Sequence, residues 1–178
     1  TPKITWDRAA GTGRPFFYFA YGAALTEAAV DVLTGESRLL RADLLHDVGR
    51  SLNPAVDLGQ VEGGYIQGVG WLTTEELVWD DRGRLATHAP STYKIPVCAD
   101  RPRRMNVRLF DRGENAEETV YRSKAVGEPP LMLGISALLA ISDAVRAAGP
   151  ADAPYPDLDA PATPERVLWA LERVRAGT

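Results

Sequence analysis

The sequence has very few of the side chains that bind metals or form covalent cross-links. Among 178 residues there is one cysteine, Cys98, and there are two histidines, His46 and His88. A single cysteine excludes an intrachain disulfide and fits a reducing compartment. A zinc site needs several clustered ligands, and neither histidine has a partner at such a spacing. We therefore expect no metal held by side chains, a structural or surface role for both histidines, and a buried apolar role for Cys98.

Strong charge of one sign and long apolar runs are also scarce. The formal net charge is −4, so the chain lacks the basic character of nucleic-acid-binding proteins. The longest apolar run, residues 131–141, is too short to span a bilayer, and no charged-then-apolar signal pattern opens the sequence. These features favour a cytoplasmic protein without nucleic-acid or membrane partners. The sequence begins with Thr1 rather than Met, which is compatible with a processed end, a tag scar or a cut within a larger polypeptide.

Segments rich in aromatic and β-branched residues, separated by turn residues, predict several strands. Residues 34–37, Thr-Gly-Glu-Ser, are a turn signal between the first two segments, and residues 80–83 are another. The predicted strands are 16–33 with 38–48 as one hairpin, 77–79 with 84–87 as a second hairpin, 106–110 and 119–124. Residues 8–15 are predicted as a loop, and residues 90–102 as an extended connection punctuated by proline.

Three segments have helical length. Residues 57–77 contain five glycines, and each costs a helix up to about 1 kcal/mol, so we expect another backbone or a flat ligand to approach closely. Asp57 or Gly59 is the predicted cap of this helix. Residues 129–148 are apolar nearly all round, which predicts a buried helix. A last helix begins at Thr163-Pro164-Glu165 and runs to about residue 175.

The order of these elements predicts an α+β domain. In it, antiparallel hairpins pack with the glycine-rich helix and the long buried helix. We place this domain at residues 1–150, and a linker with the terminal helix at residues 151–178.

The most informative stretch is SKAVGEPPL, residues 123–131, which places an acid between a strand and the buried helix. Pro129 disfavours α-helical geometry at Glu128, which therefore takes an N-cap-like position. The helix dipole favours the ionised carboxylate while burial favours the protonated one, and these opposing effects suit a general base near neutral pH. From spacing alone, a simple helix cap is the commoner explanation.

The second informative stretch is NPAVDLGQVEGGYIQGVGW, residues 53–71, with Gln60 in the first turn of the glycine-rich helix. Free N–H groups and the helix dipole there suit an anionic or amide-rich ligand, and the Gln60 amide offers both a donor and an acceptor. The alternative is that the glycines only pack the helix on the sheet and that Gln60 is a surface residue. The run is not a dinucleotide fingerprint, because no G-x-G-x-x-G opens a helix after a strand.

These two stretches, in this order, resemble the C-terminal part of the molybdenum-binding subunit of xanthine dehydrogenases and the related aldehyde oxidases. The similar segments cover nearly the whole chain: FFYFAYGAALTEAAVDVLTGE, RADLLHDVGRSLNPAVDLGQVEGGYIQGVG, PSTYKIP, YRSKAVGEPPL and APATPERV. The specific motifs are SLNPAVDLGQVEG and SKAVGEPPL.

The resemblance implies roles for particular residues. Glu128, the acid of VGEPPL, would be the base that takes the proton from the Mo–OH group, whose oxygen then attacks an electron-poor carbon of a purine. Gln60 would lie beside the molybdenum cofactor (molybdopterin), with Gly59, Lys124 and Gly127 contributing to its binding. In that family a pterin dithiolene holds the metal, so protein metal ligands are not needed.

The resemblance also implies a larger enzyme, a xanthine dehydrogenase that oxidises hypoxanthine and xanthine to urate. Molybdenum subunits of this family are several times longer than this chain, and the purine clamp, the 2Fe–2S clusters and the FAD lie elsewhere in such enzymes. The expected partners are the purine substrate, the rest of the molybdenum subunit, and an iron–sulfur and FAD subunit or domain. The alternatives are an aldehyde oxidase-type or other N-heterocycle hydroxylase, and a non-catalytic binding module or isolated fragment.

Overall fold

The computed structural model describes residues 3–177; Thr1, Pro2 and Thr178 lie outside them. The described residues form a three-stranded sheet, a separate two-stranded hairpin and three α-helices, which is the predicted α+β class. In chain order the elements are β1 (Thr5–Asp7), β2 (Thr12–Arg14), β3 (Gly22–Val30), β4 (Ser37–His46), α1 (Pro54–Thr73), β5 (Arg104–Leu109), α2 (Ile135–Ala147) and α3 (Pro164–Ala176). Short 3-10 turns lie at Cys98–Asp100, Val120–Arg122 and Pro129–Gly134.

The three-stranded sheet has the order β3–β4–β5. Strands β3 and β4 are antiparallel, which confirms the first predicted hairpin, but β3 begins at Gly22 rather than at residue 16. The aromatic side chains before it contact one another, as in the edge-to-face pair of Phe16 and Phe19 at 5.8 Å, instead of extending the strand. Strand β5 runs parallel to β4 rather than antiparallel, because the chain passes through α1 and a long connection before it returns to the sheet.

Two tight turns differ from the prediction. Residues 8–15, predicted as a loop, contain the turn of the β1–β2 hairpin, where Gly11 has a φ angle of 62°, and strand β2, in which Gly13 has a φ angle of 125°. The second predicted hairpin is reduced to one bridge between Trp79 and Leu85. The Asp80 carboxylate accepts hydrogen bonds from two backbone N–H groups there. Backbone hydrogen bonds from Asp80 N–H to the Arg84 carbonyl and from Ala86 N–H to the Val78 carbonyl also cross the turn, so side-chain and backbone bonds close it together.

Helix α1 begins at Pro54 rather than at the predicted Asp57. Asn53 is its N-cap, and the Asn53 side chain accepts a hydrogen bond from a first-turn N–H group. Proline in the first helical position supplies no N–H, so few free donors remain at this end. Neither Asp57 nor Gly59 is the cap, and Gln60 lies in the second turn rather than in the first.

The segment 119–124, predicted as a strand, is a 3-10 turn instead. Tyr121 and Arg122 have φ angles of 50° and 60°, which are incompatible with an extended strand. The Arg122 carbonyl accepts hydrogen bonds from the backbone N–H groups of Arg50 and Asn115. Contacts from two other parts of the chain therefore decide the conformation of this turn.

The predicted helix 129–148 is 3-10 at its start and becomes α-helical at Ile135. It is not buried on all sides, because 50% of Met132, 42% of Ile135 and 50% of Leu139 is exposed. Pro129–Ala147 has the length and, with a mean hydropathy of 1.4, the apolar composition of a membrane span. Its other side packs in the core through Leu133, Ala137 and other buried residues, which accounts for much of that composition.

Within residues 3–177, two apolar clusters hold the fold together. The first fills the space between the sheet, α1 and the start of α2, with Leu39, Ala42, Leu44, Val61, Tyr65, Val69, Leu133 and Ala137. The second joins α2 to α3 and contains Ile141, Val145, Ala153, Ala162, Val167, Ala170, Leu171 and Val174. The domain division at residue 150 stays a prediction, and residues on both sides of it share the second cluster.

Candidate functional site

Helix α1 meets the Pro129–Gly134 turn by direct packing of backbone on backbone. A Cβ added to Gly134 would lie 2.6 Å from the carbonyl carbon of Gly68, and one added to Gly64 would lie 2.8 Å from the Pro130 Cβ. Side chains at these positions would separate the two elements, which confirms the predicted close backbone approach. This packing fixes where the GEPP motif lies relative to α1.

The two sequence motifs meet at Gln60 and Gly127. A Cβ added to Gly127 would lie 3.7 Å from the Gln60 Oε1 atom, so the backbone of the second motif lies beside the amide of the first. Glu128 follows directly and is the N-cap residue of the Pro129–Gly134 turn. The residue directly before the predicted base thus lies beside the predicted cofactor-binding amide.

Glu128 departs from its predicted geometry in two respects. Its φ and ψ angles are −97° and −41°, which are α-helical although Pro129 was expected to disfavour them. The reason is that the Glu128 carbonyl accepts a hydrogen bond from the Leu131 N–H at 3.1 Å, and this closes a helical turn. The residue is exposed, so this chain does not bury it, and its side chain makes no capping hydrogen bond. A simple cap therefore does not explain the acid.

The exposed side of α1 is a candidate surface for a flat ligand. Gly59 and Gly63 are exposed, and a Cβ added to either would meet no atom within 4 Å. By helical periodicity both lie on the same half of the helix as Gln60, which is also exposed. Packing within the described chain explains Gly64 and Gly68 but not these two glycines.

The Lys124 side chain is largely covered and is paired with Asp47. The Lys124 Nζ lies 2.5 Å from an Asp47 carboxylate oxygen, and the two side chains are 8% and 11% exposed. The same Nζ lies 5.5 Å from the centre of the Tyr21 ring. The Lys124 ammonium is thus used within this chain, and the predicted contribution of Lys124 to cofactor binding stays a prediction.

Sequence reasoning missed two residues that contact the motif carrying Glu128. One is Asp47, and the other is Tyr18, whose hydroxyl accepts a hydrogen bond from the Ala125 N–H at 2.7 Å. Their partners lie 77 and 107 positions away along the chain. No local spacing signals contacts between residues so far apart.

Burial changes the proton affinity of two groups next to the site. Desolvation lowers the pKa of His46, and the Lys124 ammonium lowers it further, while the Asp47 carboxylate opposes both. Within the described residues neither ring nitrogen of His46 has a hydrogen-bond partner, and the residue is 2% exposed. Desolvation likewise raises the pKa of Tyr65, against hydrogen bonds from Thr26 and Ser136. The buried His46 fits the predicted structural role.

Cys98 is exposed, so the predicted buried role is wrong. It begins a short 3-10 turn on the connection before β5, where no apolar cluster covers it. Throughout residues 3–177, no three His, Cys, Asp or Glu side chains are grouped to hold a metal ion.

Comparison with known proteins decides the family. The family model described as the molybdopterin cofactor-binding domain matches residues 1–102, which is more than half of the chain. This chain belongs to that family. The xanthine dehydrogenase of Oryza sativa subsp. japonica is 45% identical over 96% of this chain, and the xanthine dehydrogenase/oxidase of Rattus norvegicus is 47% identical over 94%. Aldehyde oxidase 1 of Macaca fascicularis is 44% identical over 95%. The chain spans 13% of the length of each of these relatives.

Solved structures agree with this assignment. The aldehyde oxidoreductase from Desulfovibrio desulfuricans superposes with a TM-score of 0.73 and 28% identity, over 91% of this chain and 16% of that one. A Cu,Mo-CO dehydrogenase superposes with a TM-score of 0.72 over 87% of this chain and 19% of that one, and its 22% identity supports the fold alone. The resemblance identified in the sequence is therefore confirmed.

The residues at the junction fit the cofactor of this family. Gln60 offers an amide donor and acceptor, and Gly59 and Gly63 offer backbone that no side chain covers. Molybdenum-cofactor binding by this domain family thus agrees with what the described residues present.

Proposed function

We propose that this chain is the base-bearing, cofactor-binding part of a molybdenum hydroxylase that oxidises hypoxanthine and xanthine to urate. The observation that carries the proposal is the meeting of the GQVEG and VGEPP motifs at Gln60 and Gly127, with Glu128 adjacent and exposed. The support for the purine substrate is that the xanthine dehydrogenase of Oryza sativa subsp. japonica and the xanthine dehydrogenase/oxidase of Rattus norvegicus are 45% and 47% identical to this chain.

In this proposal the chain supplies a base and part of a binding wall. When bound, the molybdenum cofactor supplies oxygen-transfer and two-electron redox chemistry. The Glu128 carboxylate accepts the proton released as the attacking oxygen is activated, and its exposure leaves it free to reach that oxygen. The Gln60 amide hydrogen-bonds the cofactor, while Gly59 and Gly127 let it approach the backbone closely.

The rest of the catalytic machinery would come from other parts of the enzyme. Because the chain spans 13% of the length of its relatives, we propose that it works as one segment of a larger, cytoplasmic molybdenum enzyme. The remainder would contain the substrate clamp, the 2Fe–2S clusters and the FAD. On this basis the isolated chain has no hydroxylase activity.

A second candidate activity is aldehyde oxidation. Its support is the 44% identity to an aldehyde oxidase, almost the same as to the xanthine dehydrogenases. Assay of the complete enzyme with xanthine and with an aromatic aldehyde distinguishes the two. A kcat/KM at least tenfold higher for xanthine supports the purine proposal, and the reverse ratio replaces it with aldehyde oxidation.

The role of Glu128 is tested by Glu128→Gln in the complete enzyme. We expect turnover to fall by about 10²-fold or more, the usual scale for removing a general base, with molybdenum content unchanged. Glu172→Gln, an exposed acid on α3, is the matched control and should keep normal turnover. Near-normal turnover of Glu128→Gln at full molybdenum content would remove Glu128 from the mechanism.

A further inference from the structure

The segment that carries Glu128 has almost no regular structure of its own. Residues 123–128, which we call the base loop, lie between two 3-10 turns and form a single bridge, between Ser123 and Gly49. A side chain on such a segment holds one position only if other contacts fix the loop. Because a displacement of about 1 Å at a reacting group costs about 10²-fold in rate, these contacts bear directly on the base.

The first contact that fixes the base loop is the buried pair of Lys124 and Asp47. Besides the 2.5 Å ion pair, the Asp47 Oδ1 accepts a hydrogen bond from the Gly49 N–H at 2.8 Å. Gly113 covers the carboxylate closely, because a Cβ added there would lie 3.1 Å from the Asp47 Cγ. The Lys124 N–H also donates to the Val48 carbonyl at 2.8 Å. Both the backbone and the side chain of Lys124 are therefore tied to the end of β4.

The second contact comes from the aromatic segment before β3. The half-buried Tyr18 places its hydroxyl 2.7 Å from the Ala125 nitrogen, and the Ala125 N–H donates to it. The following residue, Val126, packs against the first apolar cluster. Residues 124, 125 and 126 are thus held in succession, and Glu128 follows two residues later.

We propose that Tyr18 and the Asp47–Lys124 pair are positioning residues that hold the base loop, and through it Glu128, beside Gln60. The proposal rests on the proposed role of Glu128 as base. If the same residues only stabilised the fold, removing them would lower stability and cofactor content along with turnover. A positioning role lowers turnover while cofactor content and substrate KM stay unchanged.

Tyr18→Phe in the complete enzyme is the primary test, because it removes the hydroxyl and keeps the ring. Hydrogen–deuterium exchange of the peptide covering residues 123–131 is the readout independent of activity. We expect exchange there to become about tenfold faster, since the Ala125 N–H loses its acceptor. Tyr155→Phe, which removes the hydroxyl of an exposed ring in the linker before α3, is the control and should leave exchange of the 123–131 peptide unchanged. Equal exchange in the two variants would overturn the Tyr18 anchor.

Turnover of the same variants tests the effect on the base. We expect Tyr18→Phe to lower kcat about tenfold with KM and molybdenum content unchanged. In the Glu128→Gln background the rate is measured as single-turnover reduction of the enzyme by substrate. Adding Tyr18→Phe there should lower this rate by less than a further twofold. A tenfold loss in both backgrounds would show an effect that does not pass through Glu128, and would overturn the proposal.

The ion pair is tested by Lys124→Met and by the double variant Asp47→Asn/Lys124→Met. The single variant leaves the buried Asp47 carboxylate unpaired, which destabilises the fold, so it serves only as the folding reference. The double variant removes both charges and therefore also the unpaired carboxylate. We expect the double variant to recover molybdenum content but to keep a kcat at least tenfold below that of the native enzyme. Recovery of both molybdenum content and kcat would assign the ion pair a purely structural role.

These outcomes separate the two proposals. A Glu128→Gln enzyme with normal turnover refutes the base itself. A Glu128→Gln enzyme that is inactive, combined with normal kcat in Tyr18→Phe and in the double variant, refutes only the positioning proposal.

Discussion

The packing of α1 on the Pro129–Gly134 turn makes a quantitative prediction for Gly134→Ala. Gly134 has φ and ψ angles of −60° and −21°, which alanine adopts without strain, so only space opposes the substitution. An added Cβ would lie 2.6 Å from the carbonyl carbon and 2.8 Å from the Cα of Gly68. Both neighbours belong to the backbone of a 20-residue helix, so neither gives way as a flexible side chain would.

The magnitude follows from two opposing effects. Overpacking a well-filled core costs about 1–3 kcal/mol, and a rigid backbone neighbour favours the upper part of that range. Replacing glycine by alanine in a helix recovers up to about 1 kcal/mol. We expect a net loss of about 2 kcal/mol in the local stability of this contact, which corresponds to roughly 30-fold more frequent opening.

Hydrogen–deuterium exchange of the cofactor-free complete enzyme measures this opening in peptides covering residues 129–147. Gly63→Ala adds the same methyl group to α1 where no atom lies within 4 Å, so it should not accelerate exchange. Using enzyme without cofactor keeps differences in cofactor binding out of the comparison. If the 129–147 peptides of Gly134→Ala and Gly63→Ala exchange at rates within twofold of each other, the glycines at this contact are not needed for close backbone approach.

Two further predictions concern buried polar groups. Tyr65→Phe removes a hydroxyl that lies 2.9 Å from the Thr26 Oγ1 in the core. Local opening of α1, measured by hydrogen–deuterium exchange, should therefore become about fivefold to tenfold more frequent. Unchanged exchange would contradict a hydrogen-bonded Tyr65 hydroxyl. Burial lowers the pKa of His46 below its ordinary value of 6.5, so the unfolded chain takes up more protons than the folded chain as pH falls below about 6.5. The stability that neutral His46 contributes is complete above that pH and declines in acid. We expect the rate of heat inactivation of the native enzyme to rise as the pH is lowered from about 7.5 to 5.5, and to rise less in His46→Leu. An equal rise in the two enzymes would refute this assignment.

Local sequence signals predicted the elements whose causes are local. Thr163 caps α3 and Pro164 opens it, as the Thr-Pro-Glu signal indicates, because capping involves only the first turn. The turn at residues 34–37 likewise fixes the β3–β4 hairpin. The strand prediction for residues 119–124 failed because the Arg122 carbonyl accepts a hydrogen bond from the N–H of Arg50, which is remote in sequence, as well as from the nearby Asn115 N–H. The prediction that Cys98 is buried failed because residue type indicates only average burial, whereas the actual exposure of Cys98 depends on which elements pack over it.

By itself, the sequence determined the chemical inventory of this protein: an acid before two prolines, an amide within a glycine-rich helix, and one cysteine with two histidines. Those features depend on residue type and short spacing, which the order of amino acids contains directly. The tertiary structure alone decided that Gly127 lies against Gln60 and that Tyr18 and Asp47 hold the base loop. The physical reason is that these contacts join residues far apart in the chain. The distances between such residues are set only when the backbones pack at Gly64, Gly68 and Gly134 and the surrounding cores form.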